Sequence, residues 1–343
     1  MTTGTVTDVS DDDRNDPAGR LATWLSGEQG RTVEVRDLAP VSAGARRFNA
    51  LFTARAGDLS TRHAVTMIPT AAIQLLSVAD EAAVRSLAES AGVPVPHIEH
   101  VCTDETVLGG PFFISTAIDG ETVPRRVLRL VAATDGDLGS TIVGQLGTAL
   151  ARLHAIDATH APPALTPESG NPPIAEALAQ VDLGLAELLA PSPAFAFCAR
   201  WLERTAPDEP ERRSIVHSDV RNGNIIVGPD GLRAILDWEG SRIGDPAEDL
   251  AWTAQRMWRF REDHLTVGGL GSLDTLTEAY AIAGGQVDHD RIRWWRVLTT
   301  VRWGLGMAGQ SRSHLDRSFP SIVMAASARR MAELEFDALQ LLR

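Results

Sequence analysis

The sequence predicts an α+β fold in two lobes, a small antiparallel sheet lobe followed by a larger, mostly helical one. Short apolar runs rich in Val, Ile and Phe recur between residues 32 and 117, separated by turn residues. From Gly139 onward apolar residues instead return at helical spacing over long segments. One hairpin interrupts that helical region: Ile225–Val227 and Leu232–Leu236 flank Gly228-Pro229-Asp230-Gly231. The expected division is a disordered tail over 1–17, a first lobe over 18–118 and a second over 119–343.

The tail MTTGTVTDVSDDDRNDPAG is acidic and poor in apolar side chains, and lacks the basic and apolar regions of a signal peptide. Residues 18–29 read as a helix with Leu21, Trp24 and Leu25 on one face. Strands are expected over 32–38, 48–56 and 63–68, with a turn over 40–47 that contains a single glycine, Gly44. Residues 74–91 form a helix that stops at Gly92, ahead of Pro94 and Pro96. Strands 98–102 and 111–117 follow, joined through Leu108-Gly109-Gly110. The second lobe opens with a helix over 139–156 carrying Ile142, Leu146, Leu150 and Leu153, whose His154 reads as a packed helix-end residue. A proline-rich loop (157–173) and helices over 174–190 and 192–205 lead to the hairpin. Beyond it, helices are expected over 251–260, 273–282, 290–310 and 322–342. The first of these should turn Arg256, Arg259 and Arg261 to its polar side. Trp294, Trp295 and Trp303 read as core.

Composition narrows the function. The 343 residues carry a net charge of −13, against a nucleic-acid partner, which calls for a basic face. No apolar run is long enough to span a membrane. Cys102 and Cys198 are too few for a disulfide framework or a metal cluster, so a reducing cytoplasm is the expected setting. The chain contains no lysine, and all 32 basic residues other than histidine are arginine.

The hairpin brings the loop before it, Asp219 to Asn224, beside the segment after it, Asp237 to Glu239. Asn and Asp oxygens are hard ligands suited to Mg²⁺, which keeps waters and takes further ligands from phosphates. Asp219 is then free to accept a proton from an attacking hydroxyl, and Arg221 to meet phosphate oxygens. His217, Asp219 and Asn224 match the kinase catalytic loop H-x-D-x-x-x-x-N, followed downstream by a metal-binding Asp, here Asp237.

The fuller pattern HxDxRxxN…LDWE…GDPxEDLAW resembles the aminoglycoside phosphotransferase (choline-kinase-like) family, in the branch fused to or encoded beside acyl-CoA dehydrogenases. The resemblance implies a protein-kinase-like fold and transfer of the γ-phosphate of ATP to a small-molecule hydroxyl. It makes Asp219 the catalytic base, Arg221 a stabiliser of phosphate charge, Asn224 and Asp237 the Mg²⁺ ligands and Glu239 an accessory acid. It places nucleotide contacts at Gly44, Thr66, Glu81, Thr116 and Ile118. The acceptor it implies is aminoglycoside-like or a hydroxyacyl compound, and since carboxy-terminal helices line the acceptor site in related kinases, Trp295, Arg302, Trp303 and His314 are candidates to line it. Two departures stand out. Ser218 occupies a glycine position, and Thr66 or Met67 stands where the family carries its phosphate-contacting Lys or Arg. Arg46, Arg47 and Arg62 are the candidate replacements, and Glu81 sits where the family's acid pairs with that cation. The alternative is a pseudokinase or small-molecule-binding protein of the same fold. Mg²⁺-dependent ATP binding separates the two.

Overall fold

The computed structural model describes residues 16–43, 47–69, 75–134 and 136–343. Gly44, Arg46 and the tail up to residue 15 lie outside the described residues. The fold is α+β, with a small antiparallel sheet toward the amino terminus and a helical carboxy-terminal region. The chain forms two compact units. The first takes the chain up to Ala82 together with Pro96–Ala117; the second takes Ala83–Val95 and Ile118–Arg343.

In the first unit, α1 (Pro17–Gln29) starts where Asp16 accepts a hydrogen bond from the Gly19 amide, with Pro17 at the first helical position. It stops at Gly30, whose φ of 63° suits a left-handed cap. Then come β1 (Glu34–Ala43), β2 (Phe48–Ala56), β3 (Leu59–Met67), α2 (Val78–Ser90), β4 (Ile98–Cys102), the short α3 (Glu105–Leu108) and β5 (Phe112–Thr116). The five strands are antiparallel in the order β1-β2-β3-β5-β4. β1 runs through Pro40, which the sequence assigns to a turn. As an edge strand it has a side on which a missing N–H costs no ladder bond. Leu21 and Leu25 pack on Phe52, Val65, Phe112 and Ile114 to form the core, and Trp24 meets Phe112 edge-on at 4.9 Å. Cys102 joins this core.

The second unit begins with the last part of α2 and resumes at Ile118. Its elements are α4 (Pro124–Ala133), α5 (Leu138–Ala155), α6 (Pro173–Ala186), α7 (Pro193–Arg204), β6 (Ser214–Val216), β7 (Ile225–Gly228), β8 (Gly231–Ile235), β9 (Arg242–Gly244), α8 (Ala247–Thr253), α9 (Leu273–Ile282), α10 (His289–Leu315), α11 (Ile322–Ser327) and α12 (Met331–Leu341). The expected β7–β8 hairpin forms, with Ile225 opposite Ile235 and Gly228 opposite Gly231. β6 pairs with β9, a strand pair absent from the sequence reading because each partner has only three residues. α10 is the spine: Trp294, Trp295, Leu298 and Val301 are all buried. Cys198 is also buried, and burial pushes its thiol up to about 11. No helix among the described residues is long and apolar enough to cross a membrane.

Two helices depart from expectation. The segment 251–260 is not one helix: α8 ends at Thr253 and a separate short turn spans Arg256–Trp258. Phe260 and Arg261 then take positive φ values of 50° and 83°. The break turns Arg259 inward, where it is 8 % exposed and donates to the Ala254 and Asp263 carbonyls. Likewise the expected single helix over 322–342 is two, separated by a tight turn at Ala328–Arg330. The Ser311 hydroxyl reaches across from α10 to accept from the Ala328 amide and donate to Met324 O.

α5 and α9 pack closely because Gly147 lets the Leu276 backbone approach; a Cβ there would lie 2.4 Å from the Leu276 carbonyl oxygen. Gly144, one turn earlier, has only the Ala279 Cβ nearby, at 3.9 Å. Thermal unfolding should separate them. Gly147→Ala is expected to cost about 1–3 kcal/mol through overpacking, and Gly144→Ala to stabilise by roughly 0.5–1 kcal/mol through helix propensity.

Candidate active site

The site is built on the loop between β6 and β7, and Asp249 on α8 holds that loop. Its two carboxylate oxygens accept the backbone N–H groups of His217 (2.8 Å) and Ser218 (2.7 Å). His154, at the end of α5, donates to the same carboxylate at 3.0 Å and meets the Tyr280 hydroxyl at 2.9 Å. Asp249 is fully buried, which pushes its carboxyl up. The hydrogen bond and charge of His154, then His217 and its amide, outweigh burial and leave the group below its ordinary range. His154 is thus a packed residue, as the sequence suggests, with a defined role as a strut.

His217 fixes the next residue. Its Nδ1 accepts the Asp219 amide at 3.2 Å, which leaves Nε2 to donate to the Leu236 carbonyl at 3.0 Å. The ring rests against Trp238 with centroids 4.6 Å apart. One imidazole therefore joins the β6–β7 loop to the far strand of the hairpin. Ser218, between them, has φ of +71°, the left-handed region that glycine enters freely. Its hydroxyl donates to Gly240 O at 2.9 Å and accepts from Arg242 Nη1 at 2.5 Å. A side chain tied down on both sides holds a conformation that disfavours side chains.

Asp219 sits half-buried at the centre. Oδ1 accepts from Arg221 Nε (3.0 Å) and from the indole N–H of Trp252 (2.9 Å); Oδ2 accepts from Asn224 Nδ2 (2.7 Å). Burial raises its carboxyl above the usual range; Arg221 and His217 oppose that rise and the charge of Asp237 adds to it. Arg221 is therefore bound to Asp219 itself, and its guanidinium lies 4.7 Å from the centre of the Trp258 ring. Asn224 spends its amide nitrogen on Asp219, donating to both the side chain and the main-chain carbonyl, so its Oδ1 remains for another partner. The Leu236 amide donates to Asn224 O at 2.8 Å, which sets Asp237 directly after the closing bond of the hairpin. Asp237 also takes a left-handed conformation, φ 65°. Among the described residues its carboxylate has no hydrogen-bond or ion-pair partner in the protein. Glu239 lies half-buried in the short turn Trp238–Gly240.

This donor set fits Mg²⁺. The described residues hold no cluster of three His, Cys, Asp or Glu side chains able to grip a metal alone. They do hold one unpartnered carboxylate and one amide oxygen, both on the rim of Asp219. That suits a cation that takes most of its ligands from phosphate and water.

The expected nucleotide contacts of the first unit fall as follows. Thr66 lies opposite Asn49 on the β2–β3 ladder and its hydroxyl donates to Asn49 Oδ1 at 2.8 Å. Glu81 is buried and forms an ion pair with Arg47 at 2.8 Å, so of the candidate arginines among the described residues it is Arg47 that meets the acid. The amides of Thr116 and Ala117 are committed to the carbonyls of His97 and Arg62. Ile118 is the first residue of the second unit.

Several of the remaining candidates are structural. Asp245 accepts from the Ala247 amide, from Arg291 and from the Trp295 indole. Arg302 and Arg242 both bind the buried Glu248. His314 accepts from the Ser321 amide. Trp303 packs edge-on against Trp252 and Trp258 at 5.5 and 5.6 Å, and so backs the two rings that touch Asp219 and Arg221. Sequence reasoning passed over Trp252 and Trp258. The only signal was their position just past the acidic GDPAEDLAW segment.

The strain at Ser218 is measurable. Ser218→Ala loses the hydroxyl bonds and keeps the unfavourable φ, whereas Ser218→Gly loses the bonds and relieves the strain. Chemical denaturation should find the glycine variant more stable than the alanine variant by about 1 kcal/mol.

Comparison with known proteins supports the fold. Among solved structures, a Ralstonia eutropha protein provisionally described as an aminoglycoside phosphotransferase superposes with a TM-score of 0.68, at 19% identity, covering 94% of this chain and 97% of the other. The aminoglycoside phosphotransferase APH(4)-Ia, solved as a thermostable mutant with ADP and hygromycin B, gives 0.60 at 16% identity, covering 94% and 98%. At such identities the likeness carries the fold. Among curated sequences, mouse acyl-CoA dehydrogenase family member 10 is 24% identical over 262 residues, 72% of this chain and 24% of that protein. Human acyl-CoA dehydrogenase family member 11 is 29% identical over 168 residues, 47% of this chain and 21% of that protein. The matched segments thus span about a quarter or less of those relatives. The family described as the phosphotransferase enzyme family (APH) matches residues 37–295, most of the chain, and the protein belongs to it.

Proposed function

We propose that this chain transfers the γ-phosphate of ATP, with Mg²⁺, to a hydroxyl of a small molecule. The observation that carries the reading is the arrangement around Asp219. A carboxylate raised by burial keeps a free lone pair on Oδ2, while the oxygen of Asn224 and the whole carboxylate of Asp237 stand beside it without protein partners. Asp219 orients the acceptor hydroxyl and takes its proton. Arg221 and Trp252 fix the Asp219 carboxylate from the Oδ1 side, so that Oδ2 faces the incoming group. Asn224 and Asp237 are the groups that would hold Mg²⁺. The bound metal nucleotide supplies the phosphoryl group and offsets the charge that develops on it.

The missing lysine does not leave the nucleotide without a cation in this reading. Arg47, buried and held by Glu81, takes that role from the end of β2 instead of from β3. In kinases the acid of the neighbouring helix orients the phosphate-binding cation, and the 2.8 Å pair reproduces that relationship with a different residue. The neighbours with solved structures phosphorylate aminoglycosides and macrolides; here the acceptor is assigned only as a small hydroxylated molecule.

Calorimetric titration with Mg·ATP, followed by turnover measurements against a panel of hydroxylated acceptors, tests the reading. Asp219→Asn should lower kcat by about a hundredfold to ten-thousandfold while leaving Mg·ATP affinity nearly unchanged. Asp237→Ala should abolish the Mg²⁺-dependent part of binding. Wild-type protein that fails to bind ATP at millimolar concentration would favour a binding protein that has lost transfer. Turnover undiminished in Asp219→Asn would remove Asp219 from the mechanism.

The arginine assignment has its own readout. Arg47→Met is expected to raise the KM for ATP and to lower kcat about a hundredfold or more, and Arg62→Met to do neither. Equal effects from the two would show that Arg47 has no special part.

A further inference from the structure

A cavity of about 350 Å³ opens between the segment Ala254–Arg259, α10 and α12. It starts two residues past Trp252, the residue that donates to Asp219, and its wall includes Arg259, next in sequence to Trp258. Its charge is unusual for a protein of net charge −13. Three guanidiniums line it, those of Arg256, Arg259 and Arg296, against the single carboxylate of Asp337. Asp337 is already paired with Arg256 at 2.9 Å, as is Asp263.

The other two arginines are in no direct ion pair among the described residues. Arg259 is buried, feels the charges of Asp263 and Asp337 without touching their carboxylates, donates only to main-chain carbonyls, and has a buried Nε with no partner among the described residues. Arg296 has no carboxylate partner among the described residues, and its buried Nε is likewise unbonded. Burial, then repulsion from Arg259 and Arg293, pushes its guanidinium down to about 10. Gln255, 3 % exposed, leaves both its amide oxygen and its amide nitrogen without a partner. Burying a charge or an amide without a partner is costly, and an anion seated here would satisfy these donors together.

We propose that this cavity binds a small anion, a carboxylate or a phosphate ester, with Arg296, Arg259 and Gln255 as its ligands.

The test is a calorimetric titration carried out without nucleotide, so that it stands or falls apart from phosphotransfer. The probes are 3-hydroxybutyrate, its uncharged analogue butane-1,3-diol, and inorganic phosphate. Charge-assisted hydrogen bonds to two guanidiniums should make an anion bind about tenfold or more tightly than the diol. Stronger binding of 3-hydroxybutyrate than of phosphate assigns a carboxylate, and the reverse order a phosphate ester. Arg296→Met should erase the preference for the anion. It should also melt no lower than wild type in the absence of anion, since it removes an uncompensated buried charge. Gln255→Leu serves as a second, uncharged variant and should weaken anion binding without affecting the diol. Binding of acid and diol with equal affinity, no binding of either anion at about 10 mM, or an anion preference that survives in Arg296→Met would each overturn the proposal.

Discussion

The fully buried carboxylate of Asp249 is the constraint on which the rest of the site depends. It accepts two consecutive amides of the β6–β7 loop and a histidine from another helix, so three parts of the second unit are tied to one charged group. A carboxylate in that setting is stable only if its lone pairs are filled, and the loop amides that fill them are thereby held in place. His217 continues the chain of contacts to Leu236, and the hairpin register continues it to Asn224 and Asp237. The position of Asp219 is thus set by backbone hydrogen bonds on either side, before any side chain of the site is considered.

Much of this was legible in the sequence because it is local. The Gly-Pro-Asp-Gly turn between two apolar runs allows only one pairing, and that pairing carries Asn224 and Asp237 to the same end of the hairpin. The five strands of the sheet were legible for the same reason, up to their boundaries. What was not legible depends on side-chain direction or on long-range contact. Arg46, Arg47 and Arg62 look alike in a sequence; only the packing of α2 against the strands puts Glu81 within reach of Arg47. The segment after Trp252 carries arginines at helical spacing, which reads as a solvated face. The helix breaks there, however, and Arg259 turns inward. A pattern of polar residues cannot announce that its polar side faces a cavity.

The tryptophans illustrate the same limit from the other side. Trp294 and Trp295 are core, and each spends its indole N–H on an internal acceptor. Trp252 and Trp258 belong to the same class by composition, yet one donates to the Asp219 carboxylate and the other carries its arginine partner. Aromatic rings are large enough to serve as wall and as contact at once, and which they do is decided by the elements they join.

The absence of lysine also bears on how such a protein could be controlled. A lysine at the nucleotide phosphates is an amine, open to acetylation and, once buried, to loss of its proton. The guanidinium paired with Glu81 presents no amine to an acyl donor. Among the side chains of this sequence there is no amine at all. Charge neutralisation by lysine acylation, a common way to silence a kinase-like site, therefore has no side-chain target here.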